Sequence, residues 1–214
     1  MVAGEGDTFT KQTEPLRRLY RRASLYYDII DWPLECFRYR ALRRELWQGL
    51  TGNILDLGAG TGRNAPYYPD QAEVIAADLS PEMLERARRR IEALGREPRV
   101  VVADALSLNF ADGEFDVCVS TFLFCVLPDD LQERALREVK RVLKPGGRAI
   151  LLEYVYSRSP VRRLWMRMLA PLVERLFSAR FDGHTREHML RAGFRLIEER
   201  FVYRDIILKL VGQT

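Results

Sequence analysis

Five short apolar runs, at residues 54–57, 74–78, 99–103, 115–120 and 148–154, punctuate the middle of the chain. They are continuous rather than alternating, which is the pattern of strands buried on both faces of a parallel sheet. Helix-length intervals separate them. In the second interval Ser80 suits an N-cap, Pro81 a first helical position and Glu82 the positive helix end, so a helix is predicted there. The third-strand run ends at Asp104, and the fifth follows the turn Lys144-Pro145-Gly146-Gly147. Upstream, a helical region is predicted over residues 14–47, interrupted near Asp31-Trp32-Pro33 because a proline disfavours helix at the residue before it. Downstream, an apolar and basic helix is predicted over 159–179, and a short one over 185–192 that stops at Gly193. Residues 194–202 and 205–211 read as an antiparallel hairpin.

The chemistry concentrates where strands end. After the first run, Asp56 is followed by glycines at 58, 60 and 62. Such a loop lets backbone pass close to a ligand, and a helix opened by it would offer its amino terminus to a carboxylate or phosphate. The dinucleotide fingerprint would require a glycine at 63, where Arg63 stands, so a nicotinamide cofactor is disfavoured. A tight turn without ligand is the alternative. Asp78 ends the second run twenty residues after Gly58, where open α/β folds place a carboxylate that accepts two hydrogen bonds from a ribose diol. Asp104 is placed to accept an adenine amine. Asp56 reads as an orienter of the loop through backbone N–H groups, and Met83 as either core or a packing surface for adenine. Thr121 and Phe122 end the fourth run at the carboxyl edge of the sheet, where ligands bind.

These motifs, from LDLGAGTG through AADLSPEML, Asp104, FDVCVSTFLF and REVKRVLKPGG, resemble the class I S-adenosylmethionine-dependent methyltransferases. Within them the chain is similar to the ubiquinone/menaquinone C-methyltransferases and the bacterial phospholipid N-methyltransferases. The resemblance covers roughly residues 50–155 and is loose beyond. It implies an α/β, Rossmann-like, seven-stranded and mostly parallel sheet with helices on both faces, the hairpin supplying the last two strands. It implies S-adenosyl-L-methionine as cofactor and adds Ala59, Arg63, Leu79 and Ala105 to its candidate contacts. Tyr26-Tyr27-Asp28 resembles a short element some relatives carry, making Tyr27 a candidate to close over the methionine end or face the acceptor. His184 is a candidate base, with a surface histidine as the alternative.

Composition narrows the setting. The chain of 214 residues is read as a single domain, with a helical cap at 1–49, a cofactor-binding core at 50–155 and a basic helix plus hairpin at 156–214. The first thirteen residues are polar, without a signal-peptide pattern, and no run has transmembrane length, which implies a cytoplasmic protein. Cys36, Cys118 and Cys125 lack metal-ligand spacing, and no metal site is predicted. Charge is uneven: between Tyr156 and Arg180 six arginines face Glu174 alone, against a whole-chain net of +4. Arg162, Arg163 and Arg167 are expected on one broad helix side beside Leu164, Trp165, Met168 and Leu169, a pattern suited to an anionic membrane surface or to a basic cap over a pocket. A nucleic-acid substrate is disfavoured, since STFLF stands where an N-P-P-Y type motif would follow the fourth strand. Three readings stay open: methylation of a phospholipid head-group amine, methylation of a prenylated quinone precursor or other small metabolite, and a non-catalytic cofactor-binding module.

Overall fold

A computed structural model describes residues 39–97, 99–177 and 180–214. Residues 1–38 of the proposed cap over 1–49, with Tyr27 and Cys36, lie outside the described residues. Seven strands form one sheet in the order β3-β2-β1-β4-β5-β7-β6. They are β1 (Gly52–Leu57), β2 (Ala72–Asp78), β3 (Val100–Val102), β4 (Phe115–Thr121), β5 (Leu143–Tyr154), β6 (Arg195–Tyr203) and β7 (Ile207–Gln213). All contacts from β3 to β5 are parallel, while β7 is antiparallel to both β5 and β6. The seven-stranded sheet with its terminal hairpin is the one expected.

Strand periodicity divides the core. Leu55 and Leu57 of β1 point into one apolar cluster with Cys118, Leu136 and Leu151, while Ile54 joins Val117, Val119, Ile150 and Trp47 on the other face. Helix α1 (Arg40–Trp47) and helix α2 (Pro81–Ala93) contribute Trp47 and Ile91 to the second cluster. Helix α3 (Asp129–Val142) covers the first, burying Leu131, Ala135, Leu136, Val139 and Val142 at helical spacing. As its sequence predicts, α2 starts at Ser80, whose Oγ accepts the Met83 amide at 3.2 Å, with Pro81 as its first residue.

The glycine loop departs from expectation. No α-helix follows β1; residues 58–64 wind through turns into a single 3-10 turn, Ala65–Tyr67. Pro66 and Pro69 lack amide donors, and only a few residues remain before β2, so no helical ladder can build. An anion held at a helix amino terminus is therefore not available here. The turn at 144–147 is real but sits inside β5 as a bulge, between the pairs Phe115–Leu143 and Val117–Arg148. A side chain at Gly147 would come within 2.8 Å of the Lys144 carbonyl oxygen.

Helix α4 (Pro160–Phe177) and helix α5 (Thr185–Arg191) complete the chain. The strand order reverses between β1 and β4, and it is outside the carboxyl ends of such neighbours that open sheets hold ligands.

Candidate functional site

A cavity of about 350 Å3 opens at that reversal, above the ends of β1, β2 and β4. The loop forming its floor is pinned to β2, since the Gly58 and Ala59 amides both donate to the Ala77 carbonyl, at 2.8 and 3.0 Å. The three glycines share positive φ but differ in surroundings. A Cβ at Gly58 would lie 3.0 Å from the Leu123 side chain, and one at Gly62 would lie 2.9 Å from the Ala87 backbone of α2. A Cβ at Gly60 would meet nothing within 4 Å. Gly60 therefore faces open cavity, whereas Gly62 lets the loop pack on a helix and does not line the cavity.

Asp78 joins the loop to α2. Its Oδ2 accepts the Gly60 amide and its Oδ1 the Ser80 amide, both at 2.9 Å. Burial raises its pKa, and these amide donors oppose the rise. Each oxygen keeps a further lone pair for a hydroxyl donor. Asp104 is buried and accepts the Leu106 amide through Oδ1 at 2.9 Å. Ala59, Arg63, Leu79, Met83, Ala105, Thr121 and Phe122 also border the cavity. Met83 is core and lining at once, only 2 % exposed.

Asp56 does not border it. It is fully buried beneath the loop and accepts side-chain donors, Asn64 Nδ2 at 2.8 Å and Tyr68 Oη at 2.5 Å, rather than the backbone amides expected of it. Burial pushes its pKa up to about 6, against the opposing pull of Tyr68, Asn64 and Arg43. Arg43 of α1, itself buried, donates to Asn64 Oδ1 at 2.6 Å and to Thr121 Oγ1 at 2.9 Å. One network thus joins α1, β1, the loop and β4. Satisfied buried networks of this kind fix geometry, because breaking one bond strands its partners in low dielectric.

The opposite end of the cavity is aromatic. Phe122 stacks on Tyr154 with centroids 4.5 Å apart, Tyr39 leans on Phe122 at 5.4 Å, and Phe181 meets Tyr154 edge-on at 5.8 Å. The hydroxyls of Tyr39 and Tyr154 are hydrogen-bonded to each other. Phe122 adopts φ of 62°, an arrangement that for a bulky residue stores about 1–3 kcal/mol and must be held by its surroundings. Its amide donates to the Leu152 carbonyl at 2.8 Å. Behind it, buried Glu153 accepts the amides of Phe124 and Cys125 at 3.1 and 2.7 Å, and burial raises its pKa to about 8. Met166 and Val173 of α4 close the top.

His184 is not brought to this cavity. Its side chain is 67 % exposed and lies 3.4 Å from Asp129, so the expected base does not reach the site. Among the described residues no cluster of His, Cys, Asp and Glu is arranged to hold a metal. The arginines of α4 also part company. Arg162 turns to Asp205, at 3.0 Å, while Arg163 and Arg167 stand over Tyr156. Tyr39, Arg43, Tyr154 and Glu153 belong to the site without having been expected there. No motif marks them, although Glu153 and Tyr154 end a strand, a position that could have drawn notice.

A family profile described as methyltransferase domain matches residues 54–147. The chain is 41 % identical over 138 residues to the demethylmenaquinone methyltransferase of Thermus thermophilus, an alignment covering 61 % of this chain and 62 % of that protein. It therefore spans about three fifths of that relative's length. It is 33 % identical over 145 residues to the phosphatidylethanolamine N-methyltransferase of Cereibacter sphaeroides, covering 67 % of this chain and 70 % of that one. A crystal structure of a methyltransferase from Thermotoga maritima superposes with a TM-score of 0.66 at 23 % identity, covering 92 % of this chain and 98 % of that chain, which establishes the shared fold.

Proposed function

We propose that this chain, which belongs to the class I S-adenosylmethionine-dependent methyltransferases, methylates the head-group amine of a phospholipid at a membrane surface. S-adenosylmethionine supplies an activated methyl group on a sulfonium sulfur. The residues present fit it: Gly60 leaves space where a side chain would intrude, and Asp78 offers a carboxylate at the end of β2. In this reading Gly58, Ala59 and Gly60 pass along the methionine half, Asp78 holds the ribose hydroxyls, and Asp104 with Leu79, Met83 and Ala105 surrounds adenine. Arg63 adds a charge to the same lining, and Thr121 and Phe122 lie between cofactor and acceptor. The rings of Phe122, Tyr39 and Tyr154 offer π-faces to a sulfonium or to an acceptor cation.

The chemistry asks little more than alignment. The cofactor would supply the methyl group, and an amine acceptor would have to be unprotonated, with its lone pair aligned on the methyl carbon. Among the described residues no histidine borders the cavity.

The observation that carries the lipid reading is helix α4. Val161, Leu164, Trp165, Met168, Leu169 and Leu172 are 51–65 % exposed on its outer side, while Met166 and Val173 line the cavity from its inner side. No helix among the described residues is long and apolar enough to cross a membrane. An interfacial helix matches both facts, with apolar residues in the acyl boundary and arginines at anionic head groups. The protein would then sit peripherally at the cytoplasmic face. Identity to the demethylmenaquinone methyltransferase supports a second reading, a prenylated quinone precursor, whose apolar tail would use the same helix. Incubation with methyl-labelled cofactor and a membrane lipid extract, followed by mass spectrometry, separates them. Label in an aminophospholipid is the expected result; label confined to a quinone or to water-soluble metabolites would overturn it.

A further inference from the structure

Helix α4 turns a third side to its surroundings. Between the cavity-lining side and the exposed apolar side lie Arg163 and Arg167, one helical turn apart. Both guanidinium groups stand over the Tyr156 ring, 5.6 and 6.0 Å from its centroid. Their neighbour Arg162 is engaged by Asp205 and by Ser157 Oγ at 3.1 Å. Neither Arg163 nor Arg167 has a carboxylate partner among the described residues, and the nearby acid Asp182 is paired with Arg180 at 3.2 Å. The two arginines form one wall of an open chamber of about 500 Å3, whose other walls include Tyr156, Asp182, Gly183 and His184. Phe181 borders both this chamber and the main cavity, so a single ring is common to the two spaces.

We propose that Arg163 and Arg167 form a subsite for a phosphate group of the methyl acceptor. Guanidinium forks match tetrahedral oxyanions, and two forks one turn apart engage a phosphate together, whereas a carboxylate satisfies one. The Tyr156 ring lies within cation–π distance of both. An acceptor whose amine enters the aromatic end of the main cavity places its phosphodiester beyond Phe181, and its acyl chains continue along the exposed side of α4. The inference rests on the aminolipid reading above and sharpens it, because a prenylated quinone precursor has no phosphate to offer.

The test titrates three probes into the full-length protein saturated with S-adenosylhomocysteine: dihexanoyl phosphatidylethanolamine, O-phosphoethanolamine and dihexanoylglycerol. Arg163→Gln/Arg167→Gln should weaken phosphatidylethanolamine binding by about 10- to 100-fold, as loss of charge-assisted hydrogen bonds implies. Dihexanoylglycerol and S-adenosylhomocysteine affinities should not change, and Arg163→Lys/Arg167→Lys should retain part of the binding. Arginine-dependent binding of O-phosphoethanolamine at equal strength would keep the subsite but assign it to a soluble phosphate ester. Wild-type binding of phosphatidylethanolamine by the glutamine variant, or failure of the native protein to bind either phosphate probe, would overturn the proposal. Arginine-dependent phosphate binding without methyl transfer to any aminolipid would count against the acceptor reading alone.

Discussion

Two glycines two residues apart should fail in different ways, and the difference tests the cavity assignment. Alanine at Gly60 places its methyl where nothing lies within 4 Å, so the fold pays only for φ of 55° in an L-residue, about 1–2 kcal/mol. For a chain of this size that is a Tm decrease of roughly 2–8 °C. The same methyl intrudes on whatever occupies the cavity floor, and overpacking of 2 kcal/mol or more implies about 30-fold weaker cofactor binding. Alanine at Gly62 carries a similar backbone penalty at φ of 77° and adds a 2.9 Å approach to the fully buried Ala87 backbone, so α2 must move. That adds about 1–3 kcal/mol to the destabilisation, with no direct intrusion on ligand. Urea denaturation and calorimetric titration with S-adenosylhomocysteine read the two quantities separately. Gly60→Ala binding within twofold of the native protein, or a Gly62→Ala variant no less stable than Gly60→Ala, would refute this assignment of the cavity floor.

Three further outcomes are expected. Asp78→Ala should weaken cofactor binding by about 2–3 kcal/mol, since two ribose hydroxyls lose a charged acceptor; near-normal calorimetric affinity would remove Asp78 from the site. The protein should sediment with anionic but not zwitterionic vesicles at low salt, each arginine near the surface adding about 1 kcal/mol, and Leu164→Ser/Trp165→Ser/Met168→Ser should abolish this while sparing cofactor affinity; native protein left in the supernatant would refute it. Glu153 has a folded pKa of about 8 against an ordinary 4.5, so the unfolded chain releases this proton first and the group's stabilising contribution is lost as pH rises from about 4.5 through 8. The stability of the native protein relative to Glu153→Gln should therefore fall across that window in urea titrations, and a constant difference from pH 5 to pH 9 would show that the carboxyl is not held as described.

What the sequence disclosed, and what it withheld, follows from the range of the forces involved. Apolar runs buried on both faces and the Ser80-Pro81 helix start are local signals, and both appear in the structure where they were expected. Strand ends are local too, which is why eleven of the thirteen proposed cofactor contacts border one cavity. The two that do not are Asp56 and Gly62. Each lies within the right motif, but its role is set by a partner distant in sequence: Ala87 beneath Gly62, Tyr68 and Arg43 around Asp56. Arg43 is the sharper case. On a helix rich in arginines it reads as a solvated charge, yet it is 6 % exposed and bridges Asn64 and Thr121 across 21 and 78 residues of chain. A buried cation is retained only when its donors are matched, and here the matching acceptors sit on the glycine loop and at the end of β4. Packing of α1 against the sheet is thereby tied to the geometry of the cavity wall. Loss of the Arg43 side chain would take from Asn64 Oδ1 its guanidinium donor, from Thr121 Oγ1 one of its two donors and from buried Asp56 a neighbouring positive charge, so a residue outside every recognisable motif bears on the shape of the one motif that the sequence displays most openly.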